Sequence, residues 1–203
     1  MPPSRSFRRA LFAAAITTVI AAPAAPAGAA VWRAQVPCVA GVTCPAPKPK
    51  CENQDVVPAS DNVAVVRRAT LCLLNVERAR HDLSKLHANR PLQHVATKYA
   101  KTMVAGSFFD HVSPSGSTFV QRILASAYLD PGDGYSLGEN LAWGTGILAT
   151  PKRIVRAWMH SPGHRANILN GSFRDVGVGL ALGNPVAGDG LGATYVNEFG
   201  AHS

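Results

Sequence analysis

Residues 158–169 read Trp158-Met159-His160-Ser161-Pro162-Gly163-His164-Arg165-Ala166-Asn167-Ile168-Leu169. His160 and His164 are four apart, the spacing of a helix-borne metal pair. Ser161-Pro162 lies between them, and a residue ahead of proline avoids helical geometry. One helix therefore stops at Ser161. A short one opens there, with Ser161 as its N-cap and Pro162 in the first turn of Pro162–Leu169. The two imidazoles then do not share a face. His164 falls in the first turn, where the positive end of the helix dipole disfavours imidazolium and keeps the ring neutral, as a ligand or base requires.

Working upstream, Thr150-Pro151 signals the start of the preceding helix, with Ile154, Val155, Ala157 and Trp158 apolar. Ser136 to Trp143 reads as a strand, after the turn cluster Pro131-Gly132-Asp133-Gly134. Thr118 to Ala127 reads as a short helix with Phe119, Ile123 and Leu124 inward. A longer helix follows Arg90, with Pro91 in its first turn and Gly106 at its end. Its face is Leu92, Val95, Ala96, Tyr99, Ala100 and Met103. The first helix starts at Asp61, whose carboxylate can cap it, with Val65, Ala69, Cys72, Val76, Ala79 and Leu83 as its apolar stripe. Downstream, Val176, Val178, Leu180 and Leu182 alternate along a strand, and Thr194 to Phe199 returns. Helices around a small antiparallel sheet make an α+β sandwich.

Two short motifs lead nowhere. Gly134-Tyr135-Ser136-Leu137-Gly138 matches G-x-S-x-G, but a nucleophile elbow needs a strand before the serine and a helix after it. Here a turn precedes and a strand follows. Gly177-Val178-Gly179 lacks the third glycine and the helix of a dinucleotide fingerprint.

The beginning of the chain has the three-part layout of a secretory signal peptide. Arg5, Arg8 and Arg9 form a positive head, Ala10 to Ala22 is apolar, and Ala27-Gly28-Ala29 offers a small-x-small cleavage site. The apolar stretch is too short to serve as a membrane anchor. Residues 1–29 are thus read as the leader, 30–60 as a proline-rich N-terminal arm and 61–203 as the domain. Export to the extracellular space is the expected localisation. Past the leader the chain has 17 basic and 12 acidic residues, net +5, with the basic ones scattered. A nucleic-acid partner would want a concentrated stripe, so none is expected. In an oxidising compartment the four cysteines read as two disulfides. Three pairings exist; Cys38–Cys44 with Cys51–Cys72 is preferred, because the second bridge ties the arm to the first helix. The spacings hold no C-x-x-C, which argues against a cysteine zinc site.

Several motifs in order resemble one family. They are Leu74-Asn75-x-Glu77-Arg78-Ala79-Arg80, then Phe108-Phe109-Asp110-His111-Val112-Ser113-Pro114, then Gly138-Glu139-Asn140-Leu141-Ala142. The stretch 158–169, Val176-Gly177-Val178-Gly179 and Tyr195-x-x-x-Phe199-Gly200 complete the set. From about Leu71 to Gly200 the chain resembles the CAP superfamily (cysteine-rich secretory proteins, antigen 5, pathogenesis-related 1 proteins), in its bacterial SCP-like extracellular branch. The resemblance implies an αβα sandwich whose cleft is lined by two His and two Glu, able to hold a divalent metal such as zinc. Residue by residue, the histidines fall on His111 and His164 and the first glutamate on Glu139. The second glutamate's position holds Ser161. The ligand cleft is therefore expected to comprise His111, Glu139, Ser161 and His164, with His111 and His164 as metal ligands.

Two function classes follow. The first is a secreted, non-catalytic binding module whose cleft takes a divalent metal or a small apolar ligand. The resemblance implies lipid, sterol or cell-envelope components as partners. The second is a metal-dependent extracellular hydrolase of peptide, cell-wall or nucleic-acid bonds. A hydrolase needs a base within reach of a bound water, and Glu139 is the candidate catalytic residue. The missing second glutamate favours the binding module.

Overall fold

The computed structural model of the chain describes residues 51–186 and 191–203. The leader and the Cys38–Cys44 pairing lie outside them. The helices are α1 (Val63–Ala79), α2 (Arg90–Gly106), α3 (Phe119–Leu124), α4 (Pro151–Met159) and α5 (Pro162–Ile168). The strands are β1 (His87–Ala88), β2 (Tyr135–Thr145), β3 (Asp175–Leu182) and β4 (Gly192–His202), in the sheet order β1-β3-β4-β2. Three neighbouring strands are antiparallel; β1, a two-residue stub, pairs parallel with β3. The sheet is thus mixed at one edge rather than wholly antiparallel, and β2 forms the other edge.

Helices cover both faces, so β3 is buried from Val176 to Ala181 instead of alternating. Its two faces carry different chemistry. Val176, Val178 and Leu180 join Val66, Leu74, Ile154 and Trp158 in the larger core. Gly177 and Gly179 face α2. A Cβ on Gly177 would stand 2.1 Å from the Leu92 carbonyl carbon, and one on Gly179 would stand 2.2 Å from that of Ala96. This spacing of glycines serves the seating of a helix directly on a strand. All six residues expected on the α2 face are buried.

Two helices depart from expectation. In α1 the buried line is Val66, Ala69, Thr70, Leu74 and Arg78, so the stripe is rotated from Val65, Cys72 and Ala79. The residue at its N-cap position is Asn62, not Asp61, and its side chain binds the preceding turn, accepting from the Ala59 amide. Helix α3 is shorter than 118–127, and Leu124 is 47% exposed, not inward. Thr118 and Gln121 close its start with a reciprocal capping box.

Residues 51–60, read from sequence as the end of the arm, lie against the domain. Cys51 is buried, and the Lys152 amide donates to the Gln54 carbonyl. Cys51 and Cys72 form the expected disulfide, with a sequence separation of 21. Closing such a loop is worth about 3 kcal/mol through the unfolded state. Replacing both cysteines with serine is expected to lower the urea-unfolding free energy by about that amount. The same loss should appear in the unaltered chain under reductant. A change below about 1 kcal/mol would show that the bridge adds little.

Candidate functional site

Glu139 sits in β2 directly opposite Glu198 of β4. Leu141 and Val196, the next pair up that face, pack under α2. Both glutamates therefore lie on the α2 side of the sheet. The Glu139 side chain is fully buried, and each of its oxygens is engaged. Oε1 accepts from His111 Nδ1 at 2.7 Å and Oε2 accepts from Arg122 Nη2 at 2.7 Å.

Arg122 is locked in turn. It reaches from α3 and stacks its guanidinium over the Tyr99 ring of α2, 3.3 Å from the centroid. Nη1 donates to the Ser117 carbonyl and Nη2 to the His111 carbonyl. The Tyr99 hydroxyl donates to the Asp110 carbonyl at 2.5 Å. The loop between α2 and α3 is thus pinned at Asp110, His111 and Ser117 from below. This is what delivers a half-exposed His111 to a buried carboxylate.

His164 arrives from the other side of the β2 edge. Pro162 opens α5 and Ser161 is its N-cap, as expected, although the serine side chain caps nothing. The helix is tied to β2 by asparagines. Asn140 Nδ2 donates to the His164 carbonyl at 3.0 Å, and Asn167 Nδ2 donates to the Glu139 carbonyl and to Asn140 Oδ1. The two imidazoles are near enough to feel one another's charge, and their surroundings push them apart. The bond to Glu139 raises the pKa of His111, against the opposing effect of burial. Burial lowers that of His164, and a positive His111 lowers it further. Of the two, His111 is the one that holds its proton to higher pH. The shift at His164 runs in the direction expected from the helix dipole. The sign for His111 follows: its charge-paired state is complete below its ordinary pKa and is lost as pH rises through the raised value.

Sequence reasoning missed Arg122 and two further residues of this region. Glu198 is fully buried, and neither of its oxygens meets a donor. Burial raises its pKa well above the carboxylate range, and the neighbouring Glu139 charge raises it more. Both effects favour the protonated, neutral form of Glu198 over a second buried charge beside Glu139. A glutamate in a strand otherwise read for its apolar alternation gave no signal. Arg78 is the other. Its guanidinium is fully buried and donates to the carbonyls of Ser84, Ile168, Asn170 and Phe173, fixing the C-terminal end of α5 and the turn after it. A cation amid an apolar stripe was the available clue.

The donor set does not fit a resident zinc. Zinc sites draw three or four protein ligands. Among the described residues no three His, Cys, Asp or Glu side chains come together as a metal-holding group. The His111 Nδ1 bond to Glu139 leaves Nε2 able to ligate, but both Glu139 oxygens are engaged and Ser161 brings no carboxylate, so only two imidazoles remain. Arg122 supplies the positive charge that Glu139 needs. A neighbouring cavity of about 470 Å³ is lined by Lys98, Tyr99, Ser117 and Arg122 but by neither imidazole.

Residues 71–188 match the cysteine-rich secretory protein family, CAP. The chain belongs to the CAP family. Two solved structures share the fold of this CAP domain. One is an extracellular protein containing an SCP domain from Bacillus anthracis, 27% identical with a TM-score of 0.51, over 68% of this chain and 40% of that one. The other is an outer surface protein from Borrelia burgdorferi, 22% identical with a TM-score of 0.54, over 72% of this chain and 97% of that one. Among curated proteins, the uncharacterized protein YkwD of Bacillus subtilis is 35% identical over 123 residues, 60% of this chain and 44% of its own length. The uncharacterized membrane protein YlbC of the same organism is 32% identical over 110 residues, 54% of this chain and 30% of its own length. The CAP chain thus spans less than half of the curated relatives it matches. No helix among its described residues is long and apolar enough to cross a membrane.

Proposed function

We propose that this CAP domain is a secreted, non-catalytic binding module whose His111–His164 cleft recognises a polar group. One observation carries the reading: Glu139, the candidate base, has both oxygens committed to His111 and Arg122. It anchors the cleft through those two bonds. When protonated, His111 offers Nε2–H as a donor, and the His164 ring, whose pKa burial lowers, offers an acceptor when neutral. A ligand presenting an acceptor to one and a donor to the other fits. Secretion is supported by the leader-like start, the Cys51–Cys72 bridge and the extracellular relative from Bacillus anthracis.

The opposed shifts of the two imidazoles favour a second reading, an extracellular hydrolase in which His164 takes a proton and His111 gives one. Native mass spectrometry of the purified chain, with peptide, cell-wall and nucleic-acid turnover assays, separates the two. The binding reading expects a co-purified small molecule that is lost in His111→Ala and His164→Ala, with no turnover. Turnover that needs both imidazoles would overturn it, and so would an empty cleft in all three proteins. Calorimetry with zinc alone is expected to show no saturable site at micromolar concentration. A micromolar site lost in His164→Ala would reverse the conclusion drawn from the donor set.

A further inference from the structure

At the far end of β2 the chain exposes apolar side chains that the fold does not use. Trp143, near the end of the strand, is 39% exposed, and the 3₁₀ turn Gly146–Ala149 that follows holds up Ile147 at 67% and Leu148 at 57%. Leu191, 94% exposed, stands beside them, because the Gly146 amide donates to the Leu191 carbonyl. Trp143 and Leu148 share one open depression with Arg153 and Arg156 of α4 and His160 just past its end, and no acidic residue lines it. Lys152, also on α4, is drawn off to Asp55, but neither Arg153 nor Arg156 is in an ion pair among the described residues. The whole chain carries a net charge of +8.

We propose that this end of the domain docks on an anionic lipid surface, with Trp143, Ile147 and Leu148 entering the headgroup layer and Arg153 and Arg156 meeting the lipid phosphates. A protruding apolar tip flanked by unpaired arginines is the combination that holds a protein in a bilayer interface: apolar area supplies insertion and the cations supply attraction. An aromatic ring suits the same depth. A second copy of the chain fits less well. A two-fold contact through this patch would set Arg153 and Arg156 against their own equivalents. The proposal does not depend on the reading of the His111–His164 cleft, which uses other residues.

The test is co-flotation of the full chain with phosphatidylcholine vesicles, plain or doped with phosphatidylglycerol. Every protein compared keeps the leader, so its apolar stretch contributes equally. Binding is expected to the doped vesicles, to weaken with added salt, and to fall about tenfold or more in Ile147→Asp/Leu148→Asp. Arg153→Ala/Arg156→Ala should lose about as much on doped vesicles and little on plain ones. All four sites are exposed, so circular dichroism should be unchanged. Flotation that is equal in all variants, or absent throughout, overturns the proposal. So does a concentration-dependent dimer that Ile147→Asp/Leu148→Asp dissolves, which would make a second copy the occupant.

Discussion

Replacing Arg78 with alanine is expected to cost about 4–5 kcal/mol, a large share of the roughly 5–15 kcal/mol that keeps a domain folded. The size follows from what is left behind. Four carbonyls (Ser84, Ile168, Asn170 and Phe173) lose a charged donor inside the protein. An unsatisfied buried acceptor costs about 1–3 kcal/mol, and water entering the void recovers part of it. For a domain of this length the midpoint of thermal unfolding should drop by about 10–20 °C. Arg78→Lys should recover less than half, because an ammonium lacks the planar fork that reaches all four oxygens. A fall of under about 2 °C for the alanine variant would show that the four contacts contribute little. The same variant should move the His164 imidazole resonances, since Arg78 holds the end of the helix on which His164 sits.

Arg122→Ala is the second large effect, expected at about 3–5 kcal/mol near neutral pH. It removes the guanidinium from Glu139 Oε2 and the stacking on Tyr99, and it leaves two buried carboxyls facing each other. The deficit should shrink in acid, where proton uptake by the pair relieves the uncompensated charge. Glu198 gives the matching pH signature in the unaltered protein. Its folded-state pKa is raised, so its contribution is complete below about 4.3, the usual value for an unfolded glutamate. That contribution is lost as pH climbs through the folded value. Glu198→Gln should therefore flatten the decline of stability above that window. Urea titrations from pH 4 upward decide it. Parallel curves for Glu198→Gln and the unaltered chain would mean that Glu198 ionises freely.

How far the sequence carried depended on what kind of residue marked each element. Helix α2 was legible because its inner face is a run of apolar and aromatic residues and Pro91 marks its start; the Asn89 cap came from the structure. Helix α1 was misread by about one position. Its inner line contains Thr70 and ends in Arg78, so a count of apolar residues drifted to Val65 and Cys72 beside it. Leu124 was assigned inward on hydrophobicity alone, but α3 is too short to bury both Ile123 and its neighbour. The motifs singled out His111 and Glu139, which the fold joins by a hydrogen bond, and His164, which it places on a helix tied to β2 through Asn140. What could not be read was the wiring. Nothing in a linear pattern says that Arg122 reaches under the loop to Glu139, or that Glu198 lies across the ladder from it. Those contacts depend on strand register and on a loop whose path is set by Tyr99.

The bare backbone at Gly177 and Gly179 has a bearing beyond packing. With no side chain as a spacer, α2 rests on β3 like a lid soldered to its rim, and Tyr99 is carried on that lid. A single methyl at either position would act as a wedge, tipping the phenol ring away and slackening the loop tethered through Asp110. Two of the smallest residues in the chain would then govern how firmly His111 is held against Glu139.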